Sequence, residues 1–385
     1  MWAALEPIGR APSGGYRRYA WTDEDLTMRD WFADECRARG LDLTTDGAGN
    51  QWAWWGDPDT SPGVATGSHL DSVPDGGAFD GPLGVVSALA AVDALRNKGF
   101  RPVRPIGVVN FRDEEGARFG VACGGSRLIT GALPAMRAQS LTDGDGVSLA
   151  AAMTRAGHDT AELGRDDTTL RRVGTFVELH IEQGRGLVDL ERPVAVGSSI
   201  RPHGRWQLTV DGQANHAGTT LLADRDDPML ALAAAITAAR AAAEAHDCLA
   251  TIGKVLVEPN GINAIPSRVL AWLDARGPSE AAVRAVAAQV AGAVRVALAE
   301  ESFTGATAFD EPLANRIATL LDDAPVLSTG AGHDAGILAA AGIPTAMLFV
   351  RNPTGVSHSP EEFAATGDCL AGVDALTAVL EELSG

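Results

Sequence analysis

Histidine and carboxylate side chains stand at spacings that suit metal-dependent hydrolysis in four short segments of the chain. In the first, His69 and Asp71 are two residues apart at the end of an extended run, so their side chains point to one side and the carboxylate can accept the second N–H of the imidazole. Asp80 follows in a glycine-rich loop before an apolar helical run. A carboxylate there can turn back toward the strand end as a ligand or can cap the helix, and the residues alone leave both interpretations open.

The other three segments each follow a short apolar run. Three consecutive acids, Asp113, Glu114 and Glu115, follow one run, His180 closes the next, and His358 lies in a turn-rich loop after a third. Because consecutive residues of an extended chain face opposite ways, Glu114 and Glu115 cannot do the same job, and one can bind a metal while the other stays free as a base. Taken singly, an acidic cluster is more often a solvated loop, and a lone histidine at a strand end is more often a hydrogen-bonded core residue than a ligand.

Together the segments contain three histidines and at least three carboxylates. Such a donor set suits divalent Zn, Mn, Co or Ni. In hydrolytic sites with two metals roughly 3.5 to 4 Å apart, one carboxylate bridges both ions, a role that would suit Asp80. Thiolates do not compete for the metal, because the four cysteines are scattered without a C-x-x-C pair: Cys36, Cys123, Cys248 and Cys369.

The elements that must position these residues alternate between strands and helices. Runs rich in β-branched residues at 63–67, 105–111 and 174–180 are each followed by a helical pattern, which predicts a mostly parallel α/β sheet with functional groups at the carboxyl ends of its strands. From about 205 to 307 the pattern changes to strands at 206–211, 250–258 and 267–276 and to helices at 227–245 and 278–300. We therefore predict a discontinuous mixed-sheet metallohydrolase domain, residues 1–204 and 309–385, with an inserted α+β domain at 205–308.

Composition excludes several classes of protein. Lys and Arg number 31 against 50 Asp and Glu, and the formal net charge of -19 at pH 7 repels nucleic-acid phosphates and anionic membrane surfaces. The longest apolar stretches are interrupted well short of the roughly 20 residues that a membrane span needs. The first residues show no basic start followed by an apolar run, so no secretory signal is predicted. We expect a cytoplasmic protein with neither a nucleic-acid nor a membrane partner.

The motifs that carry these residues resemble those of the M20 metallopeptidase-related amidohydrolases. Within that family they are most similar to the hydantoinase/carbamoylase branch, which contains allantoate amidohydrolase, N-carbamoyl-L-amino-acid hydrolase and β-ureidopropionase. LHIEQG at 179–184 and NHAGTT at 215–220 are specific to this branch. Further matches lie at 67–84, at 113–131 (DEEGARFGVACGGSRLITG) and at 330–335 (GAGHDA), and the resemblance extends over essentially the whole chain.

The resemblance implies two divalent metal ions per subunit, Zn or Mn, with Co or Ni as alternatives. It implies that Glu114 is the general base and that Asp71 orients His69. The implied metal ligands are His69, Asp80 and His180 for one ion, and Asp80, Glu115 and His358 for the other.

The resemblance also implies a homodimer in which the inserted domain serves as a dimerisation and lid domain. His216 would act in the active site of the partner protomer, on the oxygen that becomes the oxyanion. The remaining implied substrate-binding residues are Gln183, Asn263, Arg276 and Gly355, with Arg276 offering a bidentate fork to a carboxylate. Without the family resemblance, the sequence would indicate only a surface charge at a strand end for Arg276 and a histidine in a turn for His216.

The expected activity is hydrolysis of a non-peptide C–N bond in an N-carbamoyl or ureido group on a small carboxylic acid. Allantoate is the first choice of substrate, followed by an N-carbamoyl-L-amino acid and an N-formyl or N-formimino amino acid, with an M20 dipeptidase last. The chain departs from the family pattern at Leu221-Leu222 and at Arg201-Pro202-His203, where a hinge or pocket wall would change.

Three rival readings belong to other classes. The glycine-rich segment at 330–336 is typical of a dinucleotide site, but Asn352 stands where an acid would be expected. Cys123 would serve a thiol hydrolase, and a dimeric binding protein would need no catalytic base.

Overall fold

The computed structural model of the protein describes all residues, 1–385. The chain divides into two compact units, Met1–Ser199 with Ala308–Gly385 and Ile200–Thr307. The first unit therefore stops at residue 199 instead of the expected 204, because one strand ends at Ile200 and the next already begins at His203. The strands are β1 Asp42–Thr45, β2 Gln51–Trp55, β3 Gly63–His69, β4 Ile106–Phe111, β5 Val173–Ile181, β6 Val194–Ile200, β7 His203–Asp211, β8 Asn215–His216, β9 Leu249–Glu258, β10 Ala264–Ile265, β11 Arg268–Arg276, β12 Leu298–Thr304, β13 Thr307–Ala308, β14 Val326–Thr329 and β15 Thr345–Val350.

The helices are distributed over both units, and two further single turns are 3-10 helices, Thr160–Glu162 and Leu222–Asp224. The α-helices are α1 Trp2–Leu5, α2 Asp23–Ala38, α3 Pro82–Asn97, α4 Gly124–Thr130, α5 Ala135–Ser140, α6 Leu149–Arg155, α7 Asp167–Arg172, α8 Gly186–Asp189, α9 Pro228–Ala245, α10 Glu280–Val294, α11 Glu311–Leu320, α12 Asp334–Ala340 and α13 Thr366–Ser384.

A nine-stranded mixed sheet forms the centre of the first unit. Its order is β1-β2-β4-β3-β5-β15-β6-β13, and β14 also pairs with β6. The four inner strands β4, β3, β5 and β15 are mutually parallel, whereas β2 and β6 run antiparallel to their neighbours. The register places His69 opposite Phe111, and His180 opposite Phe349, so the carboxyl ends of all four inner strands reach one edge of the sheet. The prediction of a mixed-sheet α/β fold is confirmed.

Apolar residues on both faces explain why these inner strands are parallel and central. Every residue of β3, β4 and β15 is buried, the pattern expected for strands with helices on both sides. Helices α3 and α13 contribute Leu89, Val92, Leu376, Val379 and Leu380 to the same apolar cluster as strand residues. Packing of the strands between these helices fixes the positions of the polar residues at their carboxyl ends.

The second unit is a four-stranded antiparallel sheet of order β12-β7-β11-β9 with a separate two-stranded ladder of β8 and β10. Alternate residues of β11, such as Val269 and Leu273, are buried in one cluster with Val286 of α10 and Ala239 of α9. The expected helix at 278–300 is wrong at its end. Helix α10 stops at Val294, because Arg295 takes a left-handed conformation at φ 56, and the following residues form the edge strand β12.

Helix α9 is long and apolar enough to span a membrane by length and composition alone. In the structure its buried residues, among them Leu232, Ala235 and Ala239, belong to the apolar cluster of the second unit. The apolar composition of α9 is therefore explained by its packing against the four-stranded sheet.

Gly67 allows β3 to lie close to β4 just before His69. Its φ is 141°, and a Cβ built on it would lie 2.0 Å from the carbonyl oxygen of Val109. Any side chain at this position must therefore push the two strands apart.

We expect Gly67→Ala to lower the stability of the first unit by at least about 2 kcal/mol, the combined cost of backbone strain and overpacking. The measurement is the denaturant concentration at which the unit unfolds. Gly367→Ala is the matched control, since it lies in the first turn of α13 and a Cβ there meets nothing within 4 Å. Equal unfolding midpoints for the two variants would contradict the proposed strand contact.

Candidate metal centre

Asp80 lies at the middle of the polar cluster at the sheet edge. The sequence left open whether Asp80 caps helix α3 or turns toward the strand ends. Gly81 is the N-cap residue of α3, so Asp80 is not the helix cap. One carboxylate oxygen, Oδ1, lies 3.1 Å from Nε2 of His180 and 3.7 Å from Nε2 of His69. The other oxygen, Oδ2, lies 3.4 Å from Nε2 of His358. Each oxygen of a single carboxylate therefore faces a different set of histidines.

Two groups of ligand atoms meet at Asp80. In the first group His69, Asp80 and His180 are all buried, and in the second Asp80 is joined by Glu115 and His358. Within each group the ligand atoms lie within 4.8 Å of one another. Nε2 of His358 is 3.7 Å from Oε2 of Glu115, and the His358 side chain is 49% exposed, so the second group reaches the surface. The structure thus brings together all five side chains that the sequence predicts as metal ligands.

The two buried histidines present a lone pair toward Asp80. Nδ1 of His69 lies 3.1 Å from the carbonyl oxygen of Asp71, and Nδ1 of His180 lies 2.9 Å from that of Ile181. A carbonyl only accepts hydrogen bonds, so in the neutral ring the hydrogen is on Nδ1 and Nε2 is free to ligate. Both Nε2 atoms are buried without a hydrogen-bond partner, as is Oε1 of Glu115. These unpartnered N and O atoms fit a borderline divalent cation.

Ionisable groups of this centre have shifted pKa values. Burial, together with the charge of Asp80, raises the pKa of Glu115 to about 7, and a hydrogen bond to Asp80 raises the pKa of His358 to about 9. Burial pushes the pKa of Asp80 upward, but the close imidazole rings of His180 and His358 outweigh it and hold that pKa well below its usual value. The centre concentrates negative charge that a cation would neutralise.

Glu114 is next to the ligands without belonging to either group. Its Oε2 lies 3.8 Å from Nε2 of His69, and its Oε1 accepts the thiol of Cys123 at 3.4 Å. Burial raises the pKa of Glu114 well above its usual value. The side chain can therefore hold a proton close to the metal centre.

Asp71 holds the acidic loop as well as His69. Its carboxylate accepts the backbone N–H of Glu114 at 3.1 Å and that of Glu115 at 3.0 Å. Its distance to Nδ1 of His69 is longer, 3.5 Å. The carboxylate thus lies near His69 as predicted, but Nδ1 hydrogen-bonds the backbone carbonyl of Asp71 and not the carboxylate. The contact of the carboxylate with two consecutive amides was not predicted from the sequence.

Gln183 and Gly355, predicted to bind substrate, lie beside the second group. Nε2 of Gln183 donates to Oδ2 of Asp80 at 2.9 Å and lies 3.4 Å from Nε2 of His358. The backbone N–H of Gly355 donates to the side chain of Asn352 at 3.0 Å in the turn before His358. Gln183 therefore contacts a predicted ligand directly.

The other predicted substrate residues belong to the second unit and do not cluster within it. His216 and Asn263 are close, since Ala217 N–H donates to the carbonyl of Asn263 at 2.9 Å and His216 pairs with Ala264. Arg276 ends β11, whose length places it roughly 25 Å from the end near the β8–β10 ladder. Its Nε donates to Asp274 at 2.8 Å.

Sequence reasoning assigned no role to Glu178, although it stands two residues before His180 and so shares a face of β5 with it. Glu178 accepts the hydroxyl of Ser68 at 2.7 Å and the N–H of Ala335 at 3.1 Å. The ring of His333 lies 4.6 Å from that of His180 and is fully buried with it. Glu178 and His333 therefore pack next to His180, with side-chain N and O atoms of the three residues within 4.8 Å of one another.

The thiol reading is disfavoured by the environment of Cys123. The residue is buried, and burial followed by the charge of Glu114 raises the pKa of its thiol well above the usual value. A nucleophilic cysteine needs the opposite shift.

Comparison with known proteins assigns the chain to a family. The sequence profile of Peptidase family M20/M25/M40 matches residues 65–382. The chain belongs to this family. An N-carbamoyl-L-amino acid amidohydrolase of Geobacillus stearothermophilus is 38% identical over 97% of this chain and 94% of its own length. An allantoate amidohydrolase of Bacillus subtilis (strain 168) is 32% identical over 99% of this chain and 95% of its own length.

A solved structure agrees with this assignment. A hydantoinase/carbamoylase family amidase from Burkholderia vietnamiensis matches 100% of this chain and 95% of its own at a TM-score of 0.90 and 31% identity. The predicted membership of the hydantoinase/carbamoylase branch of M20 is confirmed. The chain is a hydrolase of C–N bonds in non-peptide amides from a metal-dependent family, and the dinucleotide and non-catalytic readings are wrong.

We expect Asp71→Asn to destabilise the loop that carries Glu114 and Glu115, because an amide offers one acceptor oxygen where the carboxylate offers two. One buried N–H is then unsatisfied, at a cost of about 1–3 kcal/mol. Hydrogen exchange of the backbone amides at 114 and 115 measures the effect. Asp75→Asn, an exposed acid of the same segment, is the control, and unchanged protection in Asp71→Asn would refute the contact of Asp71 with the two amides.

Proposed function

We propose that the protein uses two divalent metal ions per subunit to hydrolyse an N-carbamoyl or ureido group on a small carboxylic acid. The observation that carries this proposal is the position of Asp80, whose two oxygens face two separate ligand groups. The proposed ligands are His69, Asp80 and His180 for one ion and Asp80, Glu115 and His358 for the other. Zn or Mn fits this donor set, with Co or Ni as alternatives.

Metal ions bound here supply Lewis-acid activation of a water molecule and of the substrate carbonyl. Glu114 is proposed as the general base, since it lies 3.8 Å from His69 and is not needed as a ligand. It takes a proton from the attacking water and returns that proton to the departing nitrogen.

Recognition of the substrate carboxylate is assigned to Arg276, whose planar guanidinium suits a bidentate contact. Asp274 receives Nε of Arg276 at 2.8 Å and Nε of Arg205 at 3.1 Å, so it orients both guanidinium groups. His203 pairs with Arg276 across β7 and β11. The departure from the family pattern at 201–203 therefore lies beside the proposed carboxylate site. Gln183, Asn263 and Gly355 complete the proposed substrate contacts.

Two substrates within this class have separate support. The overall resemblance of the sequence to the ureide enzymes of the branch favours allantoate. The higher identity to the Geobacillus stearothermophilus relative, 38% against 32%, favours an N-carbamoyl-L-amino acid. Both acids present a carboxylate and a planar ureido carbonyl, so the metal centre treats them alike and the residues around Arg276 must discriminate.

The test is product release by metal-loaded protein: ammonia and CO2 from allantoate and N-carbamoyl-L-amino acids, and free amino acid from N-formyl and N-formimino amino acids and from dipeptides. We expect turnover of a ureido or carbamoyl acid. Glu114→Gln should keep its metal and lose turnover by a factor on the order of 100 to 10,000. Cleavage of dipeptides alone, or full activity of Glu114→Gln, would refute the proposal.

A homodimer is proposed because one subunit cannot bring His216 and Arg276 to the same small substrate across roughly 25 Å of β11. The edge strand β9 supplies a surface for a second copy: it has a free edge, and Leu249 and Leu256 are 73% and 50% exposed. Pairing of two β9 edges would join the sheets of two protomers. His216 of one protomer is then proposed to act in the site of the other.

Mixed subunits test this arrangement. His216→Ala and Glu114→Gln homodimers should each be inactive. An equimolar mixture after subunit exchange should regain about one quarter of the wild-type sites, because about half of the dimers are hybrid and each hybrid has one intact site of two. Unmixed variants carried through the same exchange are the control. No recovery in verified hybrids would contradict a shared site.

A further inference from the structure

A second buried carboxylate, Glu362, holds the loop that carries Asp80. Its Oε1 accepts the backbone N–H of Phe79 at 2.8 Å and that of Asp80 at 2.9 Å. The residue is 5% exposed and stands 282 positions from Asp80 in the chain, in the loop that also carries His358. Glu362 therefore joins the loops of two proposed ligands.

The Asp80 loop is shaped to admit this side chain. A Cβ built on Gly77 would lie 2.4 Å from Oε1 and 2.5 Å from Cβ of Glu362. Any side chain at position 77 would displace the carboxylate from the two amides. The close approach of glycine and carboxylate shows that the contact is part of the local fold.

Ser357 connects the same carboxylate to Asp80 itself. Its hydroxyl oxygen lies 3.2 Å from Oδ2 of Asp80 and 3.2 Å from Oε2 of Glu362. One hydroxyl has one proton, so Ser357 can donate to only one of the two carboxylates at a time. Because Ser357 immediately precedes His358, the contact also positions that histidine.

We propose that Glu362 is a positioning residue that sets the spacing of Asp80 and His358 for the metal centre. This inference rests on the proposed metal site. Glu362 is not itself a ligand, since its oxygens are taken by two amides and a hydroxyl and it belongs to neither ligand group. If Asp80 held a cation, the Ser357 hydroxyl would remain free to donate to Glu362 and so to keep the two loops together.

The experiment measures metal affinity of the full-length chain, stripped with a chelator and titrated with Zn²⁺ or Mn²⁺ against a chromophoric competitor. Glu362→Ala should weaken binding of the more weakly held ion by about 10- to 100-fold, the usual effect of removing a group that orients a ligand. Glu362→Gln should bind close to wild type, because its amide oxygen still accepts both N–H groups. Glu361→Ala is the matched control, an adjacent acid that contacts only Ser359.

Three outcomes would overturn the proposal. The first is unchanged metal affinity in Glu362→Ala. The second is an equal loss in Glu362→Gln and Glu362→Ala, which would indicate direct ligation or a charge effect. The third is a lower melting temperature of the metal-free Glu362→Ala variant with normal affinity, which would indicate a structural role alone.

A second variant tests the proposal if Glu362→Ala does not fold. Ser357→Ala removes only the hydroxyl that links Asp80 to Glu362, and it should also weaken metal binding, while unchanged affinity would contradict the link. If wild-type protein binds no metal, the proposed function fails and this inference fails with it, whereas normal binding by wild type with unchanged affinity in Glu362→Ala overturns this inference alone.

Discussion

The burial of several carboxylates around one point is the constraint on which the structure of this enzyme depends. Asp71, Asp80 and Glu114 are all buried, and isolated charges in a protein interior are costly unless they are paired or hydrogen-bonded. In this protein, histidine side chains lie beside Asp80, and backbone N–H groups donate hydrogen bonds to Asp71. Cations would complete the pairing, because Nε2 of His69 and Nε2 of His180, which face Asp80, have no hydrogen-bond partner.

Two carboxylates hold the two acidic loops in the same way. Asp71 accepts consecutive amides of Glu114 and Glu115, and Glu362 accepts those of Phe79 and Asp80. In both loops the backbone is fixed, and the side chains that emerge from it gain a defined direction. The directions of the ligand side chains therefore depend on these backbone contacts as well as on their own hydrogen bonds.

The inner parallel strands supply the frame for these loops. Their ends meet at one edge because β4, β3, β5 and β15 run in the same direction, and buried residues on both faces prevent them from sliding. The second unit has a different construction, with one buried face, one partly exposed face and an apolar free edge. Such a sheet suits the proposed roles of substrate contact and dimerisation, which need surface and not a closed core.

The sequence by itself determined what depends on neighbouring residues and on periodicity. The alternation of strands and helices indicated the α/β fold, and the two-residue spacing of His69 and Asp71 placed both side chains on one side of a strand. The family motifs named the ligand set. The end of α10 was beyond such reasoning, because residues 298–304 become a strand only by pairing with β7.

Tertiary structure alone decided the contacts between distant segments. Whether Asp80 caps a helix or faces histidines depends on where β5 and the loop of His358 lie, and the local sequence is compatible with both. Glu362 reaches Asp80 across 282 positions, and no local pattern indicates that contact. Spacing along the chain specifies direction over a few residues, whereas convergence in space requires the packed sheet.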